Sequence, residues 1–146
     1  MIYKKSILIN AIEKTIDKYK NPEKEIFSSM NTCPICKISP TCSQCILLDC
    51  GSHPTFNSID DVIYNQYSII YPNEEIFIGY NMSKINIDDN LKKLFEIRIR
   101  EHEKMITYLK SIENEEILIS GNKYNPENEA EENLYKKISE IYSYRI

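Results

Sequence analysis

All five cysteines of this 146-residue chain fall in one short stretch, at Cys33, Cys36, Cys42, Cys45 and Cys50, and His53, one of only two histidines, follows them. Cys33 and Cys36 form one C-x-x-C pair, and Cys42 and Cys45 form a second. A C-x-x-C turn directs both sulfurs the same way. Two such turns can close a tetrahedral thiolate site with Zn–S bonds of about 2.3 Å. Zinc is therefore the expected ion, with an iron–sulfur cluster as the alternative four-thiolate cofactor. The leading ligand set is Cys33, Cys36, Cys42 and Cys45, with Cys50 the first substitute and His53 also able to serve. Pro34 fixes φ just after Cys33 and pre-shapes the first turn. Lys37 stands where a glycine often follows such a pair. Residues 37–41 make a shorter link than most zinc ribbons have, so the ligand set stays open.

Other uses of the cysteines fit less well. The count is odd, and the N-terminus Met-Ile-Tyr-Lys-Lys-Ser lacks the apolar region of a signal peptide, so a reducing, cytoplasmic setting is expected rather than a disulfide framework. Packing cysteines would not cluster in pairs. A redox C-x-x-C needs a βαβ context, which is not evident around residue 33. A catalytic zinc keeps an open coordination position, usually among His or carboxylate ligands. Cys50 and His53 as a nucleophilic pair lie close together on a loop, a poor arrangement for that chemistry. No catalytic motif is recognisable, so the expectation is a non-enzymatic protein, with a metal- or cysteine-dependent enzyme as an alternative.

Length and composition bound the rest. A chain of this size is expected to form a single domain, 1–146, with a real core, and residues 32–56 make a metal-binding knuckle within it. Hydrophobic residues at 42% and charged residues at 27% are those of a globular protein. No apolar run approaches the roughly 20 residues that span a bilayer. The net charge of -4 and pI near 5.3 lack the basic footprint of a duplex-binding surface. Direct DNA binding is therefore not favoured.

The elements that must hold the knuckle are mostly helical. Residues 6–20 carry Leu8, Ile12, Ile16 and Tyr19 at helical spacing, with Ser6 as a candidate N-cap and Asn21-Pro22 as the stop. A second short helical piece is expected over 23–30. After the cysteines, Ser58 and Asp61 resemble a capping box, opening a helix over 58–70 that Tyr71-Pro72-Asn73 ends. Residues 75–80 and 116–120 read as short β-rich runs that could pair, although the second could instead extend the preceding helix to Gly121. The longest helix is expected over 88–112, and a last one opens with Pro126 at its first position. The expected class is mainly α with a small zinc knuckle and a short β pair, the alternative being α+β.

Two further groups of residues invite a function. Arg98 and His102 lie at i and i+4 on the apolar face of the long helix. They could form a polar pocket in which Arg98 binds an anion and His102 titrates near neutral pH. The plainer reading is a buried, satisfied pair, and it is the favoured one. Glu129, Glu131 and Glu132 could copy nucleic-acid phosphates or meet a basic partner, but such a run is more often a solvated helix face.

The segment Cys33-Pro34-Ile35-Cys36, Cys42-Ser43-Gln44-Cys45, Cys50 and Pro54-Thr55-Phe56 resembles a loose group of small phage and prophage proteins. These share C-P-x-C, a second C-x-x-C, a further Cys and a Pro-Thr-aromatic sequence. A proline often follows the second pair in that group, whereas Ile46 stands here. The resemblance implies a metal knuckle and an origin in a mobile element. The heavy use of Ile, Asn and Lys, typical of AT-rich genomes, agrees with that origin. Small acidic phage proteins include inhibitors of host defence such as anti-CRISPRs. The expected partner is accordingly a host protein, a nucleic-acid-handling effector being one candidate. A nucleic-acid-binding zinc module, resting on Lys92, Lys93, Arg98, Arg100 and Lys104, is the other alternative.

Overall fold

The architecture is described from a computed structural model, over residues 2–22, 26–27, 54–73, 80–122 and 124–142. In chain order its elements are β1 (Ile2–Lys4), α1 (Lys5–Lys20), β2 (Ile26–Phe27), α2 (Pro54–Ile70) and β3 (Tyr80–Asn81). A 3₁₀ turn (Met82–Lys84), α3 (Asp89–Ser111), β4 (Glu116–Leu118) and α4 (Glu129–Tyr142) complete the list. The protein is mainly helical with short β pairs, as the periodicity predicts.

Helix α1 forms because Leu8, Ile12, Ile16 and Tyr19 fall on one face, and all four are buried. Thr15 joins that face by donating its hydroxyl to the Ala11 carbonyl at 3.0 Å. Ser6 does not cap the helix. The N-cap is Lys4, without a side-chain bond, and Ser6 lies inside the first turn. Asn21 closes the other end, its N–H donating to Asp17 O at 3.0 Å.

Helix α2 begins at Pro54, ahead of the Ser58 start expected from the capping-box pattern. Proline at the first helical position loses no bond, because that N–H has no intrahelical acceptor. Ile59, Ile63 and Tyr67 form its buried stripe. The extended segment after the 3₁₀ turn is tied to α2 by Gln66, whose amide accepts from Asn86 N–H at 2.8 Å and donates to Asn86 O at 3.0 Å.

Helix α3 is the beam on which α1, α2 and α4 pack. Asp88 caps it by accepting from Leu91 N–H at 2.9 Å, in agreement with the sequence expectation. Helix α4 starts at Glu129 rather than Pro126. Asn128 supplies the cap that Pro126 cannot, accepting from Glu131 N–H at 2.9 Å.

Residues 75–79 of the expected β pair lie outside the described residues. Residues 116–118 form β4, which lies antiparallel to β1, with Tyr3 opposite Ile117 and Lys4 opposite Glu116. Tyr3 and Ile117 both turn inward, so the pair covers one end of the core. The second pair joins β2 to β3, with Phe27 opposite Tyr80. Ile26 and Phe27 therefore lie in a strand, not in the helix expected over 23–30, as suits a β-branched and an aromatic residue in tandem. The rest of that stretch, and residues 74–79, lie outside the described residues. Gly121 follows β4 with φ of 83°, a left-handed conformation that favours glycine, and no helix reaches it.

Two buried clusters lie along α3. One gathers Tyr3, Leu8, Ile12, Met105, Leu109 and residues of β4 and α4. The other gathers Tyr19, Ile59, Ile63, Tyr67, Met82, Ile85, Leu91 and Phe95.

Candidate functional site

Cys33, Cys36, Cys42, Cys45, Cys50 and His53 lie outside the described residues. What the structure fixes is the two ends of their segment. On one side Phe27 is the last residue of β2, held against β3. On the other Pro54 opens α2, which packs along α3. Among the described residues, no group of three or more His, Cys, Asp or Glu side chains converges as a metal site.

Arg98 and His102 are brought together as their spacing predicts. Both are withdrawn from solvent, at 1% and 0% exposure, so neither presents a polar face to a dissolved ligand. The Arg98 guanidinium carbon lies 5.2 Å from the centre of the Tyr142 ring, a cation–π arrangement. The His102 ring meets Tyr142 edge-on at 5.6 Å and Tyr19 edge-on at 5.9 Å. Glu101, one turn from Arg98, is also buried. Its spacing of three from Arg98 was the available signal.

The acidic run at the start of α4 divides. Glu129 and Glu132 are exposed, and Glu132 pairs with Lys136 at 3.2 Å. Glu131 is 1% exposed and is not part of an acidic face, which corrects its place beside the other two. Its carboxylate accepts from the Ser120 hydroxyl, from Ser120 N–H at 2.8 Å and from Glu127 N–H at 3.0 Å. Burial raises the Glu131 pKa, but the donors at Ser120 and Glu127 outweigh it and hold the carboxyl below its usual range. One turn on, burial and the neighbouring Glu131 carboxylate push the Tyr135 hydroxyl up to about 12. This carboxylate fastens the loop between β4 and α4. The N-cap spacing Asn128-x-x-Glu131 was its sequence signal.

Of the basic residues on α3, Arg98 is buried, while Arg100 and Lys104 line an open groove of about 690 Å³ between α3 and α4. Glu103, Lys137 and Glu140 share that groove, so its charge is mixed. Tyr108 lies in it under Lys137, 5.9 Å from ring centre to ammonium, and burial raises its pKa. No helix among the described residues is long and apolar enough to cross a membrane.

Comparison with protein-family models, with curated proteins and with solved structures yields no match to this chain.

Proposed function

We propose that the chain is a non-enzymatic binding module in which a helical scaffold presents a zinc-pinned loop to a protein partner. The observation that carries this reading is the grip on both ends of the cysteine segment, by the β2–β3 pair before it and by α2 after it. Clustered thiolates on one zinc would cross-link a segment so anchored and hold it in one shape. Cys33, Cys36, Cys42 and Cys45 would hold the ion, Cys50 replacing one of them in the alternative set. Zinc held by four thiolates has no open position, so it braces the loop and does no chemistry.

The acidic net charge favours a protein partner over a nucleic acid. The cysteine pattern and composition favour a phage or mobile-element protein acting in the bacterial cytoplasm. Its target would be a host factor, such as a nucleic-acid-handling CRISPR effector. Affinity purification from host lysate tests the reading, with the Cys33→Ser/Cys36→Ser variant as control. A specific host protein should be recovered by the parent chain and lost with the variant. Recovery of no protein, or binding to DNA or RNA that weakens steeply with salt, would overturn it.

A further inference from the structure

The buried face of α3 changes character along its length. Leu91 and Phe95 belong to one apolar cluster, and Met105 and Leu109 to the other. Between them lie Arg98, Glu101 and His102, all buried. Apolar burial is non-directional, so a continuous core couples every residue in it. Here a polar layer interrupts that continuity. Across it run the edge contacts of Tyr19, His102 and Tyr142, together with the half-buried Ile99, which packs against both clusters.

Apart from α1 and α3, which enter both clusters, the elements divide at the same boundary. Ile59, Ile63 and Tyr67 of α2, with Met82 and Ile85, enter the first cluster alone. Tyr3 of β1, Ile117 of β4 and Leu134 and Ile138 of α4 enter the second alone. The second half is also cross-tied. Beyond the β1–β4 pairing, the Lys5 ammonium donates to Ile112 O at the end of α3, and Glu115 O accepts from Lys5 N–H at 2.7 Å. Among the described residues, α2 packs chiefly on α3.

We propose that α2 and residues 82–87 form a separate cooperative unit that opens from α3 while α1, α4 and the β1–β4 pair stay folded, the Arg98–Glu101–His102 layer being where the opening stops. Cooperative units of this kind coincide with contiguous packed clusters. Gln66 joins the two parts of the unit through Asn86, so they leave α3 together.

Native-state hydrogen exchange of the full chain, followed by mass spectrometry through low denaturant, tests it. Peptides from 57–70 and 82–87 should exchange through a smaller opening than peptides from 8–19 and 131–142. They should show a shallower denaturant slope and a lower opening free energy. Ile63→Ala should speed exchange in α2 by about thirtyfold or more, leaving α4 protected. Ile138→Ala should do the reverse. Ile63→Val gives the same selectivity at smaller size should the alanine variant not fold. A single shared opening for all four peptides, earlier opening of α4, or equal acceleration of α2 and α4 by either variant would overturn the proposal.

Discussion

The Glu115 carboxylate caps α1 from 109 positions away, accepting from Ser6 N–H at 3.2 Å and from the Ser6 hydroxyl at 2.7 Å. The chain's own N-cap residue, Lys4, has no side-chain acceptor to offer. A carboxylate at a helix N-terminus also meets the positive end of the helix dipole. The Lys5 ammonium returns the favour at the C-terminal end of α3, by donating to Ile112 O. Charged side chains near the α1–β4 junction thus satisfy one terminus of each helix that meets there.

Glu115→Ala and Ser6→Ala should each lower the melting temperature, and the double variant should lose less than the sum of the two. Near-additive losses would mean that the two side chains do not act together. The Ser6 hydroxyl and then the Ser6 amide hold the Glu115 carboxyl below its usual range; desolvation opposes them, and Lys5 and Lys4 lower it further. A carboxyl lowered on folding stabilises above its unfolded value and ceases to as pH falls through its folded one. The double-mutant coupling should accordingly shrink in acid, as read by thermal melts between pH 7 and pH 3.

Glu131 is the more costly carboxylate to lose, because its donors are partly buried. Glu131→Ala strips acceptors from the Ser120 and Glu127 amides and should destabilise by about 2 kcal/mol in urea unfolding. Its folded pKa is also lowered, so the sign is the same: full stabilisation above the ordinary value of 4.5, lost on further acidification. Parent and Glu131→Gln proteins should therefore differ most at neutral pH and converge towards pH 3. A gap that stays constant with pH would assign the effect to shape rather than charge.

Much of the helical frame is legible in the sequence, because amphipathic period and caps are local properties. Leu8, Ile12 and Ile16 mark α1, and Asp88 marks the start of α3. What resists reading is whatever depends on a distant partner. The true cap of α1 is Glu115, invisible next to Ser6, and the partner of β4 is β1, at the far end of the chain. Hydrophobic pattern sets which face of a short strand is buried but carries no address for its neighbour. Glu131 looked like surface charge, since a run of glutamates hides the one member whose donors lie on another loop. Arg98 and His102 were legible as a pair by their i, i+4 spacing; their enclosure by Tyr19 and Tyr142 was not.

That enclosure predicts a structural role for both residues. Arg98→Ala should cost about 3 kcal/mol, as truncation of a long buried side chain does. Arg98→Met keeps the length and drops the charge, so it should cost less. His102→Phe keeps a ring between Tyr19 and Tyr142 and should fold. Denaturant unfolding gives the stabilities, and binding to the recovered partner gives the second reading. Folded Arg98→Met and His102→Phe proteins should bind within about threefold of the parent, as variants remote from a contact surface do. A folded Arg98→Met protein that no longer binds would move Arg98 from packing to recognition.

The cysteine segment makes the sharpest demand on experiment, because a metal bound to the folded chain adds its binding energy to stability. Purified protein should carry about one zinc per chain by elemental analysis, the stoichiometry of one closed four-thiolate site. A strong chelator should lower the melting temperature, and restored zinc should return it. Cys33→Ser and Cys36→Ser should reduce soluble yield and zinc content more than His53→Ala, since serine is a poor zinc ligand and His53 stands outside the leading set. Cys50→Ser separates the two ligand sets: retained zinc leaves the two C-x-x-C pairs as the site, while lost zinc places Cys50 among the four. Equal indifference of zinc content to Cys33, Cys36 and His53 substitutions would remove the metal from the account, and with it the reason for gripping this segment at both ends.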